Sequence, residues 1–489
     1  MAQIGIVGSG IGGIAFAIRM ACLGQKVHVF EANAQPGGKL AEITLDGFRF
    51  DAGPSLFTLP KLVDELFELA GKNPRDYFQY ERLPEICRYF WEDGTRLHTH
   101  EDPAQTAAEM AEVLGEEVGN IRTYIADAGA KYHIVSDLFL DNSLHKLSTW
   151  TGKKALTGYA NLHRLGLFDR MHNSHRKRFK NPKTVQLFDR YATYNGSDPY
   201  QTPATLSIIP HLEYNLGAYF PAGGMIEIPR SLTRLAKELG VQFHLNEPVI
   251  KIKTAGSRVL GLETEKGSYD FDFVASNADI RPSYTKLLSE LPKPQKLLTQ
   301  PKSSSGIIFY WGVNRTFDEL GVHNIFFTEN YKREFEAIFK TQTMDVDPTA
   351  YVHISSKVAK EDAPAGCENW FVLMNAPANS GQDWDQLVAE TRKNVINKIG
   401  RILGVNFEKH IVSEDYLDPR RIETRTSSSG GALYGNASNN KFAAFLRHPN
   451  YRPAIKNLYW IGGSVHPGGG IPLCLSSAKI AAKLFQENA

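Results

Sequence analysis

The first forty residues constrain the fold of this chain more than any other stretch. Residues 3–7 have the pattern of a short buried strand, residues 8–13 read GSGIGG, and residues 14–23 have the apolar pattern of a helix. A second strand follows and ends at Glu31. A strand, a Gly-x-Gly-x-x-Gly turn, a helix and a strand that ends in an acidic residue form the dinucleotide-binding unit of doubly wound proteins. The sequence therefore predicts an α/β fold of Rossmann type.

Each position of this unit has a physical role. Gly8 permits the tight turn, Gly10 lets the backbone approach a pyrophosphate, and Gly13 lets the helix pack on the strand. The free N–H groups at the start of the helix attract the anion. Glu31 is placed to accept hydrogen bonds from a ribose diol. A glycine turn that binds no ligand would not explain why an acidic residue, Glu31, ends the strand that follows the helix. We therefore expect this region to bind a dinucleotide.

A second glycine pair indicates which dinucleotide is bound. Gly37 and Gly38 follow Glu31 closely, and glycines again allow the backbone to approach a ligand. A pair just past the acidic residue is typical of FAD-binding flavoenzymes and uncommon in NAD dehydrogenases, so FAD is the predicted cofactor. Two interpretations of Lys39 remain open, one in which it reaches a phosphate and one in which it is solvated.

Length and composition bound the class of protein. With 489 residues, 42% hydrophobic and 22% charged, the chain has the composition of a globular protein of two or three domains. A net charge of +2 gives no argument for a nucleic-acid partner. The four cysteines are scattered without metal-ligand spacing, so no metal site is predicted. We find no signal peptide and no transmembrane stretch, and we expect a cytoplasmic protein that is soluble or peripheral.

Residues 151–180 differ in character from the rest. Eight basic side chains alternate with apolar ones, and Asp169 is the one acidic residue of the stretch. A basic amphipathic segment is typical of a helix on a membrane surface. The alternative, a solvated basic face on a core helix, is favoured by this stretch taken alone. Its histidines, His163, His172 and His175, are expected to be solvated.

The second half of the chain predicts a return to the dinucleotide domain and then a separate sheet. Val249 lies on a strand that is placed to offer backbone contacts to an adenine. Residues 259–265 and 269–275 predict a β-ribbon. Four apolar strands then lie within residues 306–375, and residues 384–403 form an amphipathic helix. The four strands predict a sheet with one large apolar face, which is either the wall of a site for an apolar ligand or simply part of a core.

The C-terminal end repeats the order of strand, glycine turn and helix. Residues 463–472 read GSVHPGGGIP and are followed by a helix over residues 473–485. A helix N-terminus at this position favours the negative charge of a reduced flavin by about 0.3–1 kcal/mol. For His466, a role in capping the turn is favoured over two alternatives, a covalent link to the flavin and action as a base. Cys474 is interpreted as a small buried residue rather than a covalent linker.

These motifs occur in a fixed order that resembles the bacterial phytoene desaturase family of FAD-dependent carotenoid desaturases. The resemblance spans nearly the whole chain and rests on the N-terminal unit and on FDAGPS (residues 50–55), GGM (223–225), SNAD (276–279) and HPGGGIP (466–472). It implies an amine-oxidase-like flavoprotein fold with a discontinuous FAD-binding domain formed by residues 1–75, 215–285 and 412–489. An inserted α+β substrate domain is then expected from residues 76–150, 181–214 and 286–411, with a helical, membrane-facing part at 151–180.

The resemblance also implies a reaction. A long polyene, drawn from a membrane surface, would lose a hydride equivalent to the flavin, and oxygen or a quinone would reoxidise the flavin. Residues 55–60 are more similar to the branch that desaturates the 3,4 bond of hydroxylated carotenoids, such as 1-hydroxy derivatives of γ-carotene. Alternatives are a phytoene desaturase with serial steps, a carotenoid isomerase or saturase, an amine oxidase and a lipid carrier without activity. No catalytic side chain is assigned.

The predicted FAD-binding residues come from the N-terminal unit, the second glycine pair, the turn near residue 54, the strand at 249, the SNAD motif and the C-terminal turn. They are Gly8, Gly10, Ile11, Gly12, Gly13, Glu31, Ala32, Gly37, Gly38, Lys39, Leu40, Gly53, Pro54, Ser55, Val249, Asn277, Gly463, Gly470, Ile471 and Pro472.

Overall fold

The structure is a computed structural model that describes residues 1–136, 140–151, 161, 165–439 and 447–488. Its strands, in chain order, are β1 (Gln3–Val7), β2 (Lys26–Phe30), β3 (Glu42–Leu45), β4 (Phe48–Asp51), β5 (Tyr80–Arg82), β6 (Glu85–Phe90), β7 (Arg96–His100), β8 (Tyr219–Pro221), β9 (Gln242–His244), β10 (Val249–Ala255), β11 (Arg258–Thr264), β12 (Gly267–Asp270), β13 (Phe273–Ser276), β14 (Ser305–Val313), β15 (His323–Phe326), β16 (Ala350–His353), β17 (Glu368–Ala376), β18 (Ile411–Leu417) and β19 (Leu458–Trp460).

The helices of eight residues or more are α1 (Ile11–Cys22), α2 (Lys61–Leu69), α3 (Pro103–Leu114), α4 (Val118–Val135), α5 (Met171–Arg178), α6 (Pro182–Asp189), α7 (Glu227–Glu238), α8 (Trp384–Leu403), α9 (Pro419–Thr426) and α10 (Ile471–Asn488). Shorter helices span Leu147–Thr151, Pro210–Tyr214, Ile280–Pro282, Gln295–Leu298 and Tyr331–Glu336. Within the described ranges, no helix is both long enough and apolar enough to cross a bilayer.

The predicted dinucleotide unit forms the centre of a five-stranded parallel sheet. The strand order is β19-β13-β1-β2-β9, and helices α1, α7 and α10 contribute to the apolar core that packs on it. Helix α1 begins at Ile11, three residues earlier than expected, because Gly10 is the extended N-cap residue and the helix includes the last two glycines of the motif. The Rossmann-type α/β prediction is confirmed.

The ribbon predicted near residue 270 is wrong in its second half. Strand β12 does pair with β11, but the chain then leaves the ribbon, and β13 pairs in parallel with β1. The exit is fixed by Asp272, whose backbone N–H donates to Gln3 O at 2.9 Å. Because residues 269–275 have the pattern of one continuous extended stretch, the sequence does not show that β12 and β13 belong to different sheets.

The four predicted apolar strands lie together in a seven-stranded sheet of order β18-β14-β17-β16-β15-β6-β7. One face packs on α8 through side chains such as Trp311, Val352 and Val372. Strand β18 pairs with β14, so residues 411–417 join this sheet, although the predicted boundary at residue 412 places most of them with the FAD-binding segments. The division into domains stays a prediction.

The basic segment is only partly within the described residues, since 152–160 and 162–164, with His163, lie outside them. In the part that is described, Lys177 pairs with Asp169 of the same segment at 3.1 Å, and two further counter-charges come from other elements. Arg178 pairs with Asp127 at 2.8 Å and Lys180 pairs with Glu117 at 2.9 Å. The sequence missed these pairs because their acidic partners lie more than fifty positions away.

The expectation of solvated histidines is wrong for His175 and incomplete for His172. His175 is buried, with Nδ1 2.7 Å from Asp189 Oδ1 and Nε2 2.9 Å from the Tyr124 hydroxyl. His172 is half-buried, with Nδ1 2.6 Å from the other oxygen of Asp189. The carboxylate of Asp189, on the next helix, satisfies both rings and allows their burial.

Candidate flavin and substrate site

One large cavity connects the parallel sheet with the seven-stranded sheet. Its volume is about 820 Å³, near the upper end of the range for ligand sites. Its lining contains every predicted FAD-binding residue except Gly13. A Cβ atom added at Gly13 would lie 2.2 Å from Gly8 O, so this glycine allows α1 to pack against the end of β1. The structure thus brings the N-terminal and C-terminal motifs to one site.

Two helix N-termini face this cavity. Ile11 begins α1 and Ile471 begins α10, and both residues line the cavity. The first N–H groups of a helix have no partner inside it and carry a partial positive charge, so each end favours an anionic group. Gly470, before α10, has a φ of 105° and open space where a Cβ would stand. This arrangement fits an extended cofactor with a pyrophosphate and a flavin ring.

Glu31 lines the cavity where a ribose was expected, and its carboxylate is already held by the protein. Oε2 accepts hydrogen bonds from Ser9 N at 2.8 Å and Ser9 Oγ at 2.7 Å. Oε1 accepts from Asn33 N at 3.0 Å and Asn33 Nδ2 at 2.8 Å. These bonds fix the position of the negative charge beside the glycine turn. Sequence reasoning missed Ser9, although a hydroxyl inside the GSGIGG turn was a visible signal.

Lys39 is not a solvated lysine. Its ammonium donates hydrogen bonds to Ala432 O at 3.1 Å and to Leu433 O at 2.8 Å. Burial lowers the pKa of Lys39, with Asp279 acting in the opposite direction. The contact ties the second glycine pair to the chain that precedes Tyr434 and Gly435, which also line the cavity.

His466 in the C-terminal turn and Cys474 in the first turn of α10 differ in their placement. Cys474 lines the cavity, and burial raises the pKa of its thiol to about 11, so the group is a protonated small side chain at neutral pH. His466 is fully buried, is not among the residues that line the cavity, and has Nε2 2.9 Å from Asn142 O.

The far part of the cavity is apolar. The seven-stranded sheet contributes Ile308, Ile325, Tyr351, Phe371 and Leu373, and facing elements contribute Tyr132, Val135, Leu206, Ile209 and Leu212. The two open interpretations of the sheet therefore both hold, because one face lines the cavity and the other packs in a core. Such a wall suits a long apolar ligand, since its burial removes apolar surface from water.

Polar side chains interrupt this apolar wall at two places. Arg190 and Glu213 form an ion pair at 3.0 Å. Separately, the hydroxyl of Tyr351 lies 2.8 Å from Ser55 Oγ and 2.7 Å from His323 Nδ1. Except for Ser55, sequence reasoning missed these residues. No local spacing predicts them, because their partners come from distant elements.

A parallel sheet with a dinucleotide site that opens into an apolar chamber is the architecture of a flavoprotein oxidoreductase. The chain belongs to the family described as flavin containing amine oxidoreductase, which matches residues 11–484. It is an FAD-dependent oxidoreductase, and the cofactor predicted from its glycine patterns is confirmed.

Relatives confirm the resemblance to carotenoid enzymes. The chain is 50% identical over 480 residues to a 1-hydroxycarotenoid 3,4-desaturase of Flavobacterium sp. (strain P99-3), with 98% of each chain covered. It is 32% identical over 492 residues to a 4,4'-diaponeurosporene oxygenase of Staphylococcus aureus (strain MSSA476), covering 99% of this chain and 98% of that one.

Among solved structures, the chain resembles an oxidoreductase from Methanosarcina mazei. The TM-score is 0.64 at 16% identity, over 99% of this chain and 100% of the other. At that identity the likeness concerns the fold alone, whereas the match to the flavin containing amine oxidoreductase family confirms the amine-oxidase-like flavoprotein architecture.

Proposed function

We propose that this protein is an FAD-dependent carotenoid desaturase that introduces the 3,4 double bond into a 1-hydroxycarotenoid. The observation that carries the proposal is the continuity of the cavity from the dinucleotide unit to an apolar wall. The 50% identity to a 1-hydroxycarotenoid 3,4-desaturase supports the choice of substrate and bond.

The proposed FAD-binding residues are those that were predicted from the sequence and line the cavity, with Gly13 in a packing role. Bound FAD supplies the acceptor for a hydride equivalent, and the protein supplies orientation. The N-termini of α1 and α10 offer N–H groups to the cofactor, and Glu31 fixes a negative charge where a ribose diol is expected. The apolar wall excludes water and holds the polyene against the cofactor, so that positioning lowers the barrier.

We further propose that the substrate is taken from a membrane surface, and that oxygen or a quinone reoxidises the flavin. Burial of a polyene in the cavity contributes about 0.8 kcal/mol per CH₂ relative to water, but removal from lipid cancels most of that gain. A site that is filled from the bilayer avoids transfer of the polyene through water. Exposed apolar side chains at Leu147 and Phe168, with exposed basic side chains at residues 170, 176 and 177, support this docking surface.

The test is reconstitution of the FAD-loaded protein with liposomes that carry one polyene at a time. The polyenes are a 1-hydroxylated carotene, γ-carotene and phytoene, and the readouts are the polyene absorption and the product mass. The expected result is a red-shifted product of the hydroxylated substrate that has lost two hydrogen atoms.

Other outcomes would overturn the proposal in distinguishable ways. Serial loss of hydrogen from phytoene would indicate a phytoene desaturase, and gain of oxygen would indicate an oxygenase. An absorption shift without a change of mass would indicate an isomerase, and a gain of hydrogen would indicate a saturase. No change in any polyene would contradict a carotenoid substrate.

A further inference from the structure

Besides the two paired polar groups in its wall, the cavity is lined by the amide side chain of Asn375. Asn375 lies near the end of β17, on the same face of the strand as Phe371 and Leu373, which also line the cavity. The alternate residues of β17 belong to the core that packs on α8. Because β17 lies between β14 and β16 in the sheet, this half-buried amide has its accessible surface on the cavity side.

The amide has hydrogen-bonding capacity that the protein does not use. Ser304 Oγ donates to Asn375 Oδ1 across a long distance of 3.4 Å. Within the part of the chain that the structure describes, Nδ2 has no hydrogen-bond partner, and it is not one of the unpartnered polar atoms that lack accessible surface. A ligand in the cavity can therefore reach this atom. A hydrocarbon offers no hydrogen bond, so a purely apolar ligand would bury the amide unpaired at a cost in free energy.

From this geometry we infer that Asn375 is a specificity-determining residue that binds the hydroxyl group of a hydroxylated carotenoid end. The inference rests on the proposed function and names the group that recognises its substrate. A hydroxyl group both donates and accepts, so it can pair with either end of the amide. Ser304 is a positioning residue, since its hydroxyl holds Oδ1 and leaves Nδ2 to the ligand.

The position of Asn375 agrees with the chemistry of the substrate. In a 1-hydroxycarotenoid the oxygen is bonded to C1, and C1 is two bonds away from C3 of the bond to be oxidised. The group that binds this oxygen must therefore lie close to the redox centre. Ser304 joins Asn375 to the segment at Leu433, whose backbone N–H donates to Ser304 O at 3.1 Å. Leu433 O in turn accepts a hydrogen bond at 2.8 Å from Lys39, one of the proposed FAD-binding residues.

The same segment contacts the C-terminal glycine turn. Tyr434 follows Leu433 and lines the cavity, and a Cβ atom added at Gly469 would lie 2.9 Å from Tyr434 Cα. Ser304 therefore connects Asn375 to a stretch of chain that contacts both Lys39 and the turn before α10. These are the two places that are proposed to hold the cofactor.

The experiment compares a 1-hydroxylated carotene with the same hydrocarbon without the hydroxyl. Each is presented in liposomes to the FAD-loaded wild type and to the variants Asn375→Leu, Asn375→Gln and Ser304→Ala. The readouts are kcat/KM for each polyene, and binding to enzyme whose flavin has been reduced, which cannot accept a hydride. Binding gives the preference even where the hydrocarbon is not turned over.

We expect Asn375→Leu to lower the preference for the hydroxylated polyene about 10- to 100-fold, with little change in binding of the hydrocarbon. Asn375→Gln should restore part of the preference, and Ser304→Ala should cause a smaller loss than Asn375→Leu. Asn375→Ala removes the same amide without adding a bulky side chain, so it provides the test if the leucine variant folds poorly.

The matched control is Leu373→Ala. Leu373 lies two residues before Asn375 on the same face of β17 and also lines the cavity, but its side chain is apolar. Its replacement removes contacts that both polyenes share. Binding of both should therefore weaken equally, with the preference unchanged.

Retention of FAD and the absorption spectrum of the flavin distinguish recognition of the substrate from contact with the cofactor. The Asn375 variants should match the wild type in both. Loss of FAD together with an unchanged preference would assign the amide to the cofactor and overturn the inference.

Two further results would overturn the inference while leaving the proposed function intact. An equal fall in binding of both polyenes to Asn375→Leu would make the residue a structural one. An unchanged preference with normal FAD retention would show that another group binds the hydroxyl, such as Asn195, which also lines the cavity. Failure of the proposed function itself is distinguishable, because wild-type enzyme would then form no desaturated product from any of the polyenes.

Discussion

Arg190 and Glu213 form a buried ion pair in the wall of the cavity, with Nη2 of the arginine 3.0 Å from Oε2 of the glutamate. Both side chains are more than nine-tenths buried. Tyr191 donates its hydroxyl to the same Oε2 at 2.5 Å, and Arg190 donates to the Tyr89 hydroxyl at 2.7 Å. The two charges come from separate short helical turns, so the pair joins elements that the chain order keeps apart.

Removal of one charge from this pair is expected to be costly. Glu213→Gln should lower the free energy of unfolding by about 3–5 kcal/mol, because it leaves the Arg190 guanidinium buried without its counter-charge. Urea denaturation of the FAD-loaded protein measures the change. Glu336→Gln is the control, since it removes an exposed pair with Lys340 and should cost less than about 1 kcal/mol. A loss at Glu213 no larger than at Glu336 would contradict the prediction.

A second prediction concerns the dependence of stability on pH. Glu334 is buried, and burial raises its pKa to about 7, although Thr349 Oγ1 donates to its Oε2 at 2.7 Å. In the unfolded chain the group ionises near its ordinary pKa of about 4.3. The stabilisation that the protonated carboxyl group of Glu334 gives the folded state is therefore fully present below the unfolded pKa. It is lost as the pH rises through about 7. Relative to wild type, Glu334→Gln should gain about 2–3 kcal/mol of stability between pH 5 and pH 8.

Urea denaturation at the two pH values provides the measurement for Glu334. The exposed Glu336→Gln variant of the same helical segment should show no comparable gain, because its carboxylate is in water in both states. A difference between wild type and Glu334→Gln that does not change with pH would show that the carboxyl group is not perturbed.

The role of Gly13 in packing gives a third prediction. In Gly13→Ala the new Cβ would meet Gly8 O at 2.2 Å, so α1 must shift away from β1 and move its N-terminal N–H groups. We expect a loss of about 1–3 kcal/mol of stability and weaker retention of FAD. Thermal unfolding and the fluorescence of released FAD measure the two effects.

Gly119→Ala is the matched control for Gly13→Ala. Gly119 lies in the first turn of α4, and a Cβ added there meets nothing within 4 Å. This substitution should be neutral or stabilise by up to about 1 kcal/mol, with unchanged FAD retention. Equal effects of the two substitutions would show that the contact at Gly8 is not the cause.

The proposed membrane surface gives a fourth prediction. Leu147 is 81% exposed and lies just before the basic segment, and Phe168 is 89% exposed and lies within it. Replacing both with glutamate should weaken binding to anionic vesicles by about 10-fold or more, since burial of each side chain in lipid contributes about 1.5–3 kcal/mol. Co-sedimentation with vesicles measures the change. Val346→Glu, 71% exposed and far from this segment in the sequence, should bind like wild type. Equal binding of all the variants would contradict docking through this surface.

The cofactor part of the site was predictable because its signals are local. Each signal reflects the backbone geometry of a short stretch of chain. These signals are the GSGIGG turn, Glu31, the second glycine pair and the GSVHPGGGIP turn. Backbone that approaches a ligand closely needs glycine at fixed spacing, and such a spacing can be recognised within a short stretch of sequence. Nearly every residue predicted in this way lines the cavity.

The polar groups of the substrate part were not predictable in the same way. His323, Tyr351 and Ser55 come from three segments, and Arg190 and Glu213 from two more. The positions of these residues in the sequence do not indicate which residues they contact, because a contact between distant segments leaves no periodicity in the chain. The same reason explains why buried His175 was expected at the surface, since its partner Asp189 lies on another helix.

The sequence by itself determined the parallel dinucleotide-binding sheet, the two glycine turns and the four apolar strands, because turn geometry and hydrophobic periodicity are local properties of the chain. Only the tertiary structure decided that β13 leaves its ribbon to pair with β1, that β18 joins β14, and that His323 and Tyr351 form a hydrogen bond in the wall of the cavity. Strand partners and buried polar contacts depend on which surfaces meet when the core is packed, and that choice is made by the whole chain at once.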